Sequence, residues 1–188
     1  MIGGSFLRSR RNLVLDDRGA AAVEFALIVP VLILLYAVGF EIAEAATVKR
    51  KLTDTTVQLA NVASQDTKTT KADVAILMSA ASQIMTPYST NVLSMQVAEI
   101  YVDNSGTPHI QWTESYLNGT PLQGTLITTP PSAPPSFKTA NSYYIDVQTT
   151  YLYYPIVGTN FIHAMTLSNQ SFALPRNSSS IPCPDCDT

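Results

Sequence analysis

The sequence predicts an α+β fold in which a long N-terminal transmembrane and stalk helix and a second helix precede a small antiparallel β-sheet. Three observations predict it. From Phe25 to Phe40 the chain reads FALIVPVLILLYAVGF without a charge, and extending back to Ala20 adds only Glu24; about 20 such residues cross a hydrocarbon core. Apolar residues then keep helical spacing as far as Met85. Beyond Pro87 the chain turns to alternating β-formers, and helices followed by strands indicate an α+β domain.

Each element has its own warrant. Residues 1–19 are basic and lack apolar periodicity, and read as a cytoplasmic leader. Residues 20–40 form the span, whose Pro30 a membrane helix tolerates with a local loss of one hydrogen bond. Residues 41–66 continue it as a stalk. No Gly or Pro interrupts Glu41–Gln65, and Ala45, Val48, Leu52, Thr55, Leu59 and Val62 make a narrow stripe for the domain or a neighbouring subunit to cover. Residues 67–176 form the extracytoplasmic α+β domain. Its helix starts at Thr70, where Thr-x-x-Asp resembles a capping box. Val74, Leu77, Met78, Ala81 and Met85 share one face, and Pro87 ends it. Strands follow at Val92–Val102 and His109–Glu114 around a hairpin loop at Asp103–Thr107. Tyr143–Tyr153 is the best-patterned strand, and Ala164–Leu174 is a fourth. Gly119–Lys138 holds five of the twelve prolines and reads as an exposed loop. Residues 177–188 read as a flexible Ser-rich tail with a Cys-x-x-Cys.

Charge sets an orientation. Arg8, Arg10, Arg11 and Arg18 against Asp16 and Asp17 give the leader a net +2, and the chain after Gly19 carries −5. Lys and Arg favour the cytoplasmic side, so the N-terminus is read as inside, although Lys49, Arg50 and Lys51 follow the span closely. The acidic outer part has no cationic footprint for nucleic acid. With 13% charged residues and mean hydropathy +0.12, the chain is a bitopic protein with a polar outer domain.

The most informative stretch is Arg18-Gly19-Ala20-Ala21-Ala22-Val23-Glu24-Phe25-Ala26-Leu27. A secretory leader places its apolar core before the cleavage site. Here a glycine behind a basic tail comes immediately before the apolar helix, with one acid five residues beyond it. The arrangement resembles the class III signal of type IV pilins and pseudopilins. More closely, Arg18, Gly19, Val23, Glu24, Phe25, Ala26, Leu27, Pro30 and Glu41 are similar to the N-terminus of TadE-like proteins of tight-adherence pili, over about the first 45 residues. The resemblance implies cutting between Gly19 and Ala20 by a prepilin peptidase, with the helix retained. It implies an assembly role for Glu24 and Phe25, in which Glu24 meets the new amine of Ala20 on a neighbouring subunit. It further implies a pseudopilin of the bacterial inner membrane, working with other pseudopilins and pilus assembly proteins. The alternative is an unprocessed single-span module that binds another envelope component.

Other candidates are weaker. Cys183 and Cys186 are a disulfide candidate, with free thiols and metal or redox chemistry as alternatives; Pro182 and Pro184 disfavour a redox helix start. His109 and His163 are the only histidines, with no ligand spacing and no Gly-x-Ser-x-Gly elbow to serve. The chain is therefore read as a non-enzyme, with no metal or cofactor site. The tyrosines from Tyr143 to Tyr154 are read as sheet packing rather than a carbohydrate platform.

Overall fold

A computed structural model describes residues 17–117, 120–122, 130, 134–137, 139–156 and 163–187. Helix α1 spans Asp17–Ala63 and α2 spans Lys71–Ser82. The strands are β1 (Leu93–Val102), β2 (Pro108–Leu117), β3 (Thr120–Leu122), β4 (Ser142–Tyr153) and β5 (Met165–Ala173), forming one antiparallel sheet in the order β3-β2-β1-β4-β5. The chain divides into two compact units, Met1–Ala43 and Glu44–Thr188.

The described part of the first unit is the apolar half of α1, unbroken through Pro30. Its side chains face outward on every side, Phe25 at 69% and Tyr36 at 77% exposure. An apolar helix that no protein covers meets the length and composition a membrane span requires.

In the second unit, the polar half of α1 and all of α2 cover one face of the sheet. Val48, Leu52, Leu59, Ala60 and Ala63 join Val74, Met78, Ala81 and Met85 over Met95, Val97, Trp112, Ile145 and Val147. The predicted stripe is narrower than the buried one. Thr56, Ala60 and Ala63 are also buried and Val62 is 43% exposed. A helix of 3.6 residues per turn drifts off a strict three-four spacing, so Ala63 rather than Val62 ends on the core side. Thr56 donates to the Leu52 carbonyl and shares a 2.6 Å hydroxyl contact with Thr149, tying α1 to β4.

At the start of α2, Thr70 takes the cap position and its hydroxyl accepts from the Asp73 amide. The Asp73 carboxylate turns to the Thr70 hydroxyl at 2.7 Å. This is a local variant of the expected box, because Asp is one methylene shorter than the Glu that reaches back to the cap amide. In the β1–β2 hairpin Gly106 has φ +80°, a conformation that glycine adopts freely.

Three findings add to or depart from the sequence expectations. First, the sheet has a second buried face, where Ala98, Ile100, Val102 and Tyr144 gather with Ile110, Phe137 and Phe172. A register shift between Glu99 and Ile100 makes this possible, since Glu99 pairs with Trp112 and Ile100 with Ile110. The extra residue, Gln111, puts Ile110 and Trp112 on opposite faces although they are two apart. Second, the proline-rich segment is not all exposed loop. Thr120–Leu122 extends the sheet as a fifth strand, and Phe137 returns to pack edge-on against Tyr144, with centroids 6.0 Å apart. Most of the remainder of Gly119–Lys138 lies outside the described residues.

Third, residues 177–187, expected to be a loose tail, are packed onto the domain. Ile181 is buried in the main core. Its carbonyl accepts the Trp112 indole N–H at 2.7 Å, and its amide donates to Glu99 Oε1 at 2.5 Å. Further along, the Asp187 amide donates to Glu114 and its carbonyl accepts from the Thr113 amide. The segment stays because the strands supply acceptors and a pocket for its one large apolar residue.

Candidate anchor and assembly segment

Gly19 and Ala20 lie near the start of the described part of α1, both exposed. A Cβ added at Gly19 would meet nothing within 4 Å. Packing therefore gives no reason for glycine there. What glycine does supply is a weak point, since a glycine in a helix is less favourable than alanine by about 1 kcal/mol. Glycine thus loosens the helix locally at the Gly19–Ala20 bond.

Glu24 is exposed on the same helix, four residues after Ala20. Positions four apart share a face, so a charge on Ala20 and the carboxylate of Glu24 would project from one side. Phe25 sits one position on, exposed among Val23, Leu27 and Ile28. This end of the helix thus joins one carboxylate to a continuous apolar surface.

The other sequence candidates fall elsewhere. Cys183 and Cys186 are joined by a disulfide with Cα atoms 5.4 Å apart. Asp185 lies beside them, but sulfurs bonded to each other offer no thiolate to a metal. His109 Nε2 contacts Asp103 Oδ2 at 3.0 Å, and the Ser105 hydroxyl donates to Oδ1 of the same carboxylate at 2.6 Å. The carboxylate stands between the two, whereas a nucleophile must touch its base; the trio shapes the hairpin. Its hydrogen bonds, the Ser105 hydroxyl first and then His109 and the Thr107 amide, hold Asp103 well below the usual carboxylate range. His163 is exposed just before β5. Of the tyrosines, Tyr151 and Tyr153 are in the main core, Tyr144 is in the second, and Tyr143 stacks at a tilt on Tyr101.

Sequence reasoning missed the buried carboxylates. Burial pushes Glu99 and Glu114 up, against the amides of Ile181 and Asp187 that pull them down. Lys71 approaches Glu114 at 3.3 Å and Asp187 at 3.0 Å. Glu114 between Trp112 and Tyr116, and Glu99 two residues from Val97, sit on the strand face of core residues, and that was the available signal.

Residues 19–63 match the family model described as TadE-like protein. The match ends at the last residue of α1, so it covers the helix and none of the sheet. No curated protein and no solved structure matches the chain.

Proposed function

We propose that this TadE-like chain is a minor pseudopilin of a Tad-type pilus assembly system, anchored in the inner membrane by α1 with its sheet domain outside the cytoplasm. A prepilin peptidase cuts between Gly19 and Ala20, and the helix remains as the anchor. Glu24 then pairs with the freed Ala20 amine of a neighbouring subunit while Phe25 and the apolar surface pack beside it. The role is structural rather than enzymatic. One observation supports it above the others: a glycine with no packing role precedes an uncovered apolar helix bearing a single early carboxylate, within the matched segment.

Two substitutions test the proposal. Gly19→Val crowds the cleavage site with a branched side chain and should leave the full-length chain uncut in cells that contain the peptidase. Glu24→Ala should leave cutting and abundance intact, since the bond is unchanged and a carboxylate near the interface is mildly costly to insert. Association should nevertheless fall, because removing one partner of a buried pair typically costs about 3–5 kcal/mol. The measurements are N-terminal sequencing, piliation and crosslinking to other pilus components. Equal mobility with and without the peptidase would refute processing. Full piliation and unchanged crosslinks in Glu24→Ala would refute the pairing and leave an unprocessed or purely anchoring module.

A further inference from the structure

The apolar lip at one end of the sheet domain is the part of this protein that meets the lipid headgroups, we infer, and it plants the domain on the bilayer that α1 spans. The inference rests on the anchoring proposed above.

It starts from a hollow in the second unit lined by Glu44, Tyr88, Val92, Tyr151, Tyr154 and Ile156. At its floor the Tyr88 hydroxyl donates to Glu44 Oε1 at 2.8 Å. Its rim is apolar and open: Tyr154 is 59% and Ile156 64% exposed. Met165, paired with Tyr153 across β4 and β5, is also exposed at this end of the sheet. A soluble domain has no use for these side chains in water, and grouped apolar exposure marks a contact surface.

Chain connectivity identifies the occupant. The uncharged run ends at Phe40, four residues before Glu44. The headgroup layer on each side of a bilayer is about 5–8 Å deep, from a total of about 40–45 Å around a core of about 30 Å. The short connection therefore keeps Glu44, and the Tyr88 hydroxyl bonded to it, close to that layer. Even a fully extended connection could carry Glu44 no more than about 14 Å from Phe40. Tyrosine is suited to this level, with an apolar ring and a hydroxyl that stays wet. At the far end of the sheet, the Asp103–Thr107 hairpin is the length of β4 away, about 35 Å at strand rise. It has polar residues at its turn and serves as the internal contrast.

The experiment uses the full chain in lipid nanodiscs, with the Cys183–Cys186 disulfide left oxidised. Single variants Tyr154→Cys, Ile156→Cys, Leu34→Cys and Asn104→Cys carry a nitroxide label. Collision with dissolved oxygen, which enters lipid, is compared with collision with a water-soluble nickel chelate. Positions 154 and 156 should lose nickel contact and gain oxygen contact relative to 104, while falling short of 34. Readings at 154 and 156 matching 104, with 34 in hydrocarbon, would overturn the inference and leave the anchor intact. A water-like reading at 34 would overturn the anchor, and the inference with it.

Discussion

Asp146 shows how one buried carboxylate contributes to the pH response of the domain. It is fully buried on β4, with Gln170 and Gln148 donating to its two oxygens at 2.7 and 2.9 Å. Burial outweighs those bonds and pushes its pKa from 3.8 up to about 6. The fold therefore holds the proton more tightly than the unfolded chain does. Below pH 3.8 both states are protonated and the group imposes no penalty; as pH rises through about 6, stability is lost and then levels off. Two pH units correspond to about 3 kcal/mol. Asp103 acts in the opposite sense, because its lowered value gives stability above the ordinary carboxylate range that is lost as pH falls below it. The two windows barely overlap. Asp146→Asn, with one glutamine turned to present its oxygen, should raise the melting temperature at pH 7 and hardly change it at pH 4. The check is thermal unfolding of the detergent-solubilised chain across that range. Parallel profiles for the two proteins would show that Asp146 does not set the slope.

At the scale of elements, the C-terminal segment behaves as a sixth piece of the sheet layer. Glu99 and Glu114 reach 82 and 73 residues along the sequence to accept the amides of Ile181 and Asp187. Glu99→Ala would leave the Ile181 amide buried without an acceptor, which costs about 1–3 kcal/mol, and would open a small void beside Trp112. Glu99→Gln keeps an acceptor and removes the buried charge, so at pH 7 it should be as stable as the parent or more so. Denaturant unfolding separates the two, and exchange of the Ile181 amide should accelerate in the alanine variant alone. Equal losses in both would mean that the charge, not the acceptor, holds the segment. The same segment shows what the sequence reveals and what it hides. Thr70, Gly106 and the alternation along β4 are local signals, so the helix start, the hairpin and the central strands are legible from neighbouring residues. A Ser-rich run after Asn177 reads as loose because composition carries no trace of acceptors on distant strands. Phe137 and Thr120–Leu122 were hidden likewise by the prolines around them. The anchor was legible because twenty apolar residues and a preceding glycine need no tertiary context.

For the whole molecule the open quantity is orientation, and two independent features bear on it. Charge is the first: residues 1–19 carry +2, but Lys49, Arg50 and Lys51 stand close behind the apolar run and oppose it. In the folded domain Lys51 donates to the carbonyls of Ile84 and Thr86, and Lys49 to the Ser168 carbonyl and Asn169. Two of the three opposing cations are thus committed to domain structure, which accounts for their presence without any role in topology. The disulfide is the second, since a persistent Cys183–Cys186 bond needs an oxidising compartment. Both support the proposed placement of the sheet domain outside the cytoplasm. A reporter that is active only after export should therefore work when fused behind Thr188, a position that leaves the domain whole, whereas a fusion behind Gln65 would cut α1 away from its sheet. Replacing Arg8, Arg10 and Arg11 with glutamine should send part of the population in the reverse sense, because positive charge flanking a span biases its insertion. In that fraction the cysteines should stay reduced and accept a maleimide, while in the parent they should not. The two readouts must move together: a silent reporter with an oxidised pair would break the link between topology and the disulfide, and a silent reporter in the parent would put the domain inside.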